Sequence, residues 1–204
     1  MLGIRIVPLT RAHAEDLATW RYEPPYDVYD LAGADPDELL DPALGFHAVL
    51  AGERLIGFRS YGPDGRVPGW DYDDAALDTG GGMRPSLTGQ GLGRAVIRAG
   101  LEFGRAAYAP PAFRVTVASF NTRARRTVES LGFERVGSFA ARRDGKPFDP
   151  SEVPTADASL LQEFQMILDT VAATSWAEPV RKLLREQFKP AHAKRLLGYR
   201  KTLF

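Results

Sequence analysis

The sequence predicts an α/β protein of the α+β type, with helices flanking one mixed sheet. Three observations carry that prediction. Helix-like and strand-like segments succeed one another along the chain, yet a hairpin interrupts the succession at residues 45–62, so the sheet is not purely parallel. The chain has 204 residues, enough for one domain with a sizeable core and an appendage. Hydrophobic residues make up 44% and charged residues 25%, a globular composition rather than a disordered one.

The elements follow in order. "GIRIVPL" (3–9) alternates apolar and polar residues and reads as a strand. "TRAHAEDLATWRY" (10–22) opens on Thr10 as an N-cap and sets Ala12, Leu17 and Trp20 roughly on one face, as a helix does. A loop rich in Pro, Asp and Tyr follows, with a short helix near Pro36–Leu40. "GFHAVLAGERLIGFRSYG" (45–62) is two apolar runs about the turn Ala51-Gly52-Glu53. "PDGRVPGWDYDDA" is loop, and "ALDTGGGMR" (76–84) is a strand thinned by three glycines. Residues 91–107 space Leu92, Ala95, Val96, Ala99 and Phe103 for burial on a helix. "FRVTVASF" (113–120) is the clearest strand. "NTRARRTVESLGF" is a helix between Asn121 as N-cap and Gly132 as terminator. "RVGSFAAR" and "EFQMIL" read as two more strands. In the tail, Pro179 starts a helix with Val180, Leu183, Leu184 and Phe188 as its apolar stripe, which packs on its own domain or on a second copy in a homodimer.

Composition removes several classes of chemistry. With no cysteine there is no disulfide, thiolate metal site or cysteine nucleophile. His13, His47 and His192 lack metal spacing, and neither HExxH nor G-x-S-x-G occurs, so no metal is expected. No nucleic-acid module surrounds the basic residues, and no apolar run is long enough to span a membrane. The first residues lack the apolar core of a signal peptide, so a cytoplasmic location is the expectation. Charge is uneven: residues 1–90 carry 7 Lys+Arg against 15 Asp+Glu, and residues 91–204 carry 19 against 11. Such a chain suits an anionic ligand on one side and a cationic one on the other, unless the halves interleave in space.

The stretch "GGMRPSLTGQGLGRAV" (81–96) sets glycines immediately before a helix. A dinucleotide fingerprint starting at Gly89 needs glycine at Arg94, and one starting at Gly91 needs it at Val96; both fail. A P-loop needs Lys-Ser/Thr after Gly93, where Arg94-Ala95 stand. What remains is Gly89-Gln90-Gly91-Leu92-Gly93-Arg94 as a bare helix start, which cradles an anion such as pyrophosphate, or a turn that merely caps the helix.

On these residues the chain resembles the GNAT superfamily of N-acetyltransferases. "MRPSLTGQGLGRAV" is similar to its acyl-coenzyme A loop, [Q/R]-x-x-G-x-[G/A], with Thr88 in the Gln/Arg position. Downstream, "NTRARRTVESLGF" is similar to N-x-x-A-x-x-x-Y-x-x-x-G-F: Asn121, Ala124, Gly132 and Phe133 match, and Val128 replaces the tyrosine. The resemblance covers roughly residues 3–169 and leaves 170–204 as a C-terminal helical extension. It implies a mostly antiparallel mixed sheet with a V-shaped splay between strands 4 and 5.

The resemblance also implies site roles. Acetyl-coenzyme A would lie in the splay, its pantetheine against Gly81, Gly82 and Met83, with pyrophosphate on Thr88, Gly89, Gln90, Gly91, Leu92, Gly93 and Arg94. Asn121 and Ala124 would flank the pantetheine arm, and Arg126 would reach a phosphate. Acetyl transfer proceeds by direct attack of a neutral amine on the thioester, so a base is needed; Asp78 is the first candidate and Asp74 the second. The acidic, aromatic loops suit a cationic small-molecule or peptide amine, with Tyr22, Tyr26 and Tyr29 as walls and Asp74 as counter-charge. The residue at 128 cannot donate a proton to the leaving thiolate. That departure keeps a second reading open, a coenzyme A-binding sensor or interaction module with little catalysis.

Overall fold

The computed structural model describes residues 3–155. The predicted strand at "EFQMIL", the domain end at 169, the extension 170–204 and its dimer contact lie outside the described residues.

The sheet has eight strands: β1 (Ile4–Pro8), β2 (His47–Ala51), β3 (Arg54–Tyr61), β4 (Leu77–Met83), β5 (Ala112–Ala118), β6 (Glu134–Arg135), β7 (Phe139–Ala140) and β8 (Pro147–Pro154). Among the described residues four α-helices accompany it: α1 (Arg11–Leu17), α2 (Pro36–Leu39), α3 (Gly93–Tyr108) and α4 (Thr122–Glu129). The order is β1-β2-β3-β4-β5-β8-β6, with β7 also on β8. Every pairing is antiparallel except β4 with β5. The predicted class and mixed sheet are therefore what the chain adopts.

Alternation along β2 and β3, broken by a β-bulge opposite Val49/Leu50 that puts Ile56 and Phe58 on opposite faces, sorts the core into two layers. Ala48, Leu50 and Phe58 face α1 and α2, meeting Ala14, Leu17, Trp20 and Leu39. Val49 and Ile56 face the other way, toward Val96 of α3. Further along that second face Tyr61, Leu101, Phe113, Val115, Val128 and Phe133 close the layer between the sheet, α3 and α4. α1 is a short helix with a reciprocal cap: the Thr10 side chain accepts from the His13 N–H, and the His13 ring accepts from the Thr10 N–H.

Two expectations at the C-terminal side of the described chain need correction. "RVGSFAAR" is not one strand but lies across two two-residue strands, β6 and β7. The sequence reading also missed β8, "PFDPSEVP", because three prolines argue against a strand. The sheet tolerates them for a local reason. The Pro150 carbonyl accepts from Val136 N–H, so the ring nitrogen faces the same side, opposite the break between β6 and β7 where no ladder donor is required. Among the described residues no helix is long and apolar enough to cross a membrane, and no group of three or more acidic or imidazole side chains could hold a metal.

Candidate active site

β4 and β5 pair at only two positions, Leu77↔Phe113 and Asp78↔Arg114. Beyond them β4 runs on to Met83 against β3, and β5 runs on to Ala118 against β8. Two interior strands thus diverge, each with one edge of backbone N–H and C=O groups left without a strand partner among the described residues. Such groups inside a sheet invite an extended ligand that completes the ladder.

Gly81 and Gly82 lie on this open edge. A Cβ on Gly82 would stand 2.6 Å from the Phe58 ring and 2.9 Å from the Tyr22 hydroxyl. One on Gly81 would stand 2.6 Å from the Phe58 carbonyl oxygen and 2.8 Å from Arg59 Nη1. The glycines are therefore required first by the chain's own packing, and the thinness they give the strand edge follows from it. Arg59 itself is buried and has no carboxylate partner among the described residues; its Nη2 donates to Thr79 Oγ1 at 2.8 Å, its Nε is unpaired, and burial lowers its pKa. Gly100 on α3 is the other residue that makes room for it, since a Cβ there would meet Arg59 Nε at 2.9 Å.

The glycine loop leads from β4 into α3. Gly89 and Gly91 have φ of +76° and +79°, a left-handed conformation that glycine adopts without strain. The loop is braced from within: the Thr88 hydroxyl donates to the Pro85 carbonyl and Gln90 Nε2 to the Ser86 carbonyl, both at 2.8 Å. α3 is sixteen residues long and its N-cap, Leu92, offers no side-chain cap. The first helical bond is that from Val96 N–H to the Leu92 carbonyl, so the N–H groups of Gly93, Arg94 and Ala95 remain for an anion. Arg94 is exposed and, with Arg98, borders a groove along α3 toward Leu131. Arg123 of α4 also approaches the loop, with Nη1 3.7 Å from a Cβ placed on Gly89. Arg126, the arginine expected there, is exposed in the last turn of α4.

Asn121 does two things at once. Its Oδ1 accepts from Ala124 N–H at 3.1 Å and caps α4, while its Nδ2 donates to the Tyr29 hydroxyl at 3.3 Å. The three tyrosines of the loop between α1 and α2 are placed differently from one another. The Tyr22 hydroxyl donates to the Met83 carbonyl at 2.8 Å, and burial, helped by Asp30, pushes its pKa up to about 12. Tyr26 packs on Phe120, and the Arg123 guanidinium lies 4.1 Å from its ring centroid, so one of its faces already holds a cation. Tyr29 accepts from Ala118 N–H at 3.3 Å, which sets its hydroxyl at the end of β5 rather than in an outer wall.

Asp78 does not stand free to act as a base. It is 1% exposed, its Oδ1 accepts from Arg114 Nε at 2.6 Å, and its Oδ2 accepts from Arg66 Nε at 2.7 Å and Arg114 Nη2 at 3.2 Å. Both oxygens are held by guanidinium donors at the closed end of the splay, so its role is to fasten β4 to β5. Arg114 also reaches Asp73 Oδ1 at 2.9 Å and Glu152 Oε1 at 3.1 Å. Burial opposes the Arg114 charge, but Asp78 and Asp73 outweigh it and raise the guanidinium pKa above its ordinary range. Tyr72 lies between two guanidinium groups, 5.4 Å from Arg66 and 5.1 Å from Arg114. Asp74, the second candidate, is exposed and outside this cluster.

A carboxylate that the sequence reading missed lies nearer the open part of the splay. Asp64 follows β3 in a short 3₁₀ turn, Pro63–Gly65, folded onto β4. Its Oδ2 is 3.7 Å from a Cβ placed on Gly80, two residues past the last β4–β5 pair. The residue is exposed overall, but the folding of its turn onto β4 partly desolvates the carboxyl and raises its pKa. In the sequence it is one Asp in a turn-forming "GPDG", and nothing local separates it from the other acids of that loop.

Comparison with known proteins agrees with this geometry. The model of the acetyltransferase (GNAT) family matches residues 9–133. The N-alpha-acetyltransferase RimI of Mycobacterium tuberculosis is 28% identical over 141 residues, covering 66% of this chain and 80% of that protein. Among solved structures, AAC(6')-Ib in complex with ribostamycin and coenzyme A superposes with a TM-score of 0.61 at 20% identity, over 75% of this chain and 94% of that one. The putative acetyltransferase yncA of Salmonella typhimurium with acetyl-CoA gives a TM-score of 0.55 at 16% identity, over 76% of this chain and 96% of that one. The interrupted β4–β5 pairing, the glycine loop opening α3 and the match over 9–133 have one explanation: the chain belongs to the acetyltransferase (GNAT) family.

Proposed function

We propose that the protein transfers the acetyl group of acetyl-coenzyme A to a cationic primary amine, by direct attack with both substrates bound together. The observation that carries this reading is the continuity of one strand, one loop and one helix start. The unpaired edge of β4 ends at Met83, the braced glycine loop follows, and the bare N–H groups of α3 come next. An extended pantetheine arm can pair with the first feature and a pyrophosphate can sit on the second, and the two follow directly along the chain. Gly81, Gly82 and Met83 would hold the arm by backbone groups, and Gly89 to Arg94, joined by Arg123, would hold the phosphates. Acetyl-coenzyme A supplies an activated acyl thioester when bound.

The chain's own groups do the rest. An amine attacks only as the free base, so a nearby carboxylate must take its proton. Asp64 suits this role better than Asp78, because no guanidinium among the described residues occupies it and partial desolvation of its carboxyl raises its pKa. Its position on the α1/α2 side of β4 directs the acceptor to that side. Exposed Glu23, Asp27, Asp71 and Asp74 populate the loops there and favour a positively charged acceptor. RimI is named as an N-alpha-acetyltransferase and AAC(6')-Ib is bound to the aminoglycoside ribostamycin, which supports an amine acceptor of either peptide or small-molecule kind.

The test is release of free coenzyme A from acetyl-coenzyme A across an amine panel, read with a thiol reagent. The absence of cysteine keeps the background low. Turnover with polyamines, aminoglycosides or peptide N-termini, and little with acidic amines, is the expected result. Tight coenzyme A binding with no turnover for any amine would favour the sensor reading instead.

A further inference from the structure

Tyr29 enters the splay from the α1–α2 loop and brings a proton that has no acceptor among the described residues. Ser119 N–H bonds to the Pro147 carbonyl on β8. By the alternation of an extended chain, Ala118 N–H points the opposite way, to the open edge of β5 that faces β4. The Tyr29 oxygen accepts from that N–H and from Asn121 Nδ2, each at 3.3 Å. These two donors fill its two lone pairs. Its own O–H makes no hydrogen bond among the described residues. Burial raises the pKa of the phenol, so it keeps its proton at neutral pH.

The hydroxyl across the splay is in a different state. Arg84 N–H bonds back to the Ile56 carbonyl on β3, so the Met83 carbonyl faces the open side, and Tyr22 donates its proton to it. The Tyr22 hydroxyl is thus committed, and the Tyr29 hydroxyl is not. Val128 is 4% exposed and packs with Leu101, Phe113 and Phe133, an apolar core with no proton to give.

We propose that Tyr29 is the general acid of the transfer. This rests on the acyl-transfer reading above. As the amine nitrogen bonds to the acyl carbon and the carbon–sulfur bond breaks, Tyr29 gives its O–H proton to the departing sulfur. The resulting phenolate is held by Ala118 N–H and Asn121 Nδ2–H. The amine proton goes to Asp64, and the phenolate regains a proton from Asp64 through solvent, so amide and free thiol are the only products. The role has passed from α4 to a residue 99 positions earlier in the chain than Val128, carried there by the loop between α1 and α2.

The test compares the full chain with Tyr29→Phe, which keeps the ring and its packing on Phe120. Two readouts apply: kcat and KM for acetyl-coenzyme A, and the ionisation of the thiol of bound coenzyme A, followed by ultraviolet absorbance against pH. Tyr29→Phe is expected to lower kcat by about 100-fold with KM nearly unchanged. It is also expected to raise the pKa of the bound thiol by about one unit, because the thiolate loses its donor. Asn121→Asp, which removes one N–H from the phenol, is expected to move both readouts the same way by less. The proposal is overturned if Tyr29→Phe leaves kcat within threefold and the bound thiol unshifted. Tighter coenzyme A binding with faster turnover would also overturn it, making Tyr29 a plug that the donor displaces. If wild type binds coenzyme A but turns over no amine, the acyl-transfer reading fails, and the thiol titration still decides whether Tyr29 faces the sulfur.

Discussion

Asp78→Asn separates a structural carboxylate from a catalytic one. The change removes the charge opposite Arg114, which is 2% exposed and makes its 2.6 Å and 3.2 Å bonds to Asp78. Breaking a buried pair by neutralising one partner costs about 3–5 kcal/mol, because the other charge stays buried without compensation. The loss here belongs at the lower end, since Asp73 at 2.9 Å and Glu152 at 3.1 Å still contact Arg114 from more exposed positions. At about 3 kcal/mol, and with 2–4 °C per kcal/mol for a chain of this size, Tm should fall by roughly 6–12 °C. The assay is thermal unfolding with coenzyme A release measured well below the lowered Tm. Turnover per folded molecule should stay within a fewfold of wild type. The double variant Asp78→Leu/Arg114→Met should recover most of the lost stability, because apolar side chains then replace both charges. A Tm within about 1 °C of wild type, or a hundredfold loss of kcat at unchanged Tm, would refute the assignment of Asp78 as the fastener of β4 to β5.

Other expectations follow from the same geometry. Asp64 acts as a base only when ionised, and partial desolvation of its carboxyl raises its pKa, so wild-type kcat/KM should fall as pH drops through that raised value; Asp64→Asn should lose about 100-fold in kcat and flatten that acid limb, seen in a pH–rate profile. Gly91→Val forces a β-branched residue into φ +79°, so calorimetry should show weaker coenzyme A binding together with a stability loss of about 1–2 kcal/mol. Gly104→Ala puts a Cβ 2.8 Å from the Tyr61 ring and 2.9 Å from the Phe113 ring; overpacking outweighs the gain in helix propensity, and denaturant unfolding should show a net loss of about 1–2 kcal/mol.

Local signals in the chain were enough for several parts of the fold. The hairpin of β2 and β3, the glycine turn into α3 and the Asn121 cap of α4 each depend on residues within a few positions of one another, and periodicity or turn chemistry reports them directly. The loop and α4 motifs likewise pointed to the family that the matched region 9–133 establishes. Tertiary structure alone decided which side chains meet. Asp78 and Arg114 are 36 positions apart, Tyr29 and Ala118 are 89 apart, and no spacing rule relates either pair. The composition of "WDYDDAALD" could not show that Arg114 takes Asp73 and Asp78 and leaves Asp74 in solvent. Prolines hid β8 because the break between β6 and β7 that accommodates Pro150 exists only once the strands are assembled. The sequence by itself determined most of the elements from β1 to α4, since backbone conformation and one-sided burial are written in neighbouring residues. The tertiary structure decided the site, because a proton donor or a buried ion pair is defined by partners that the chain brings together from far apart.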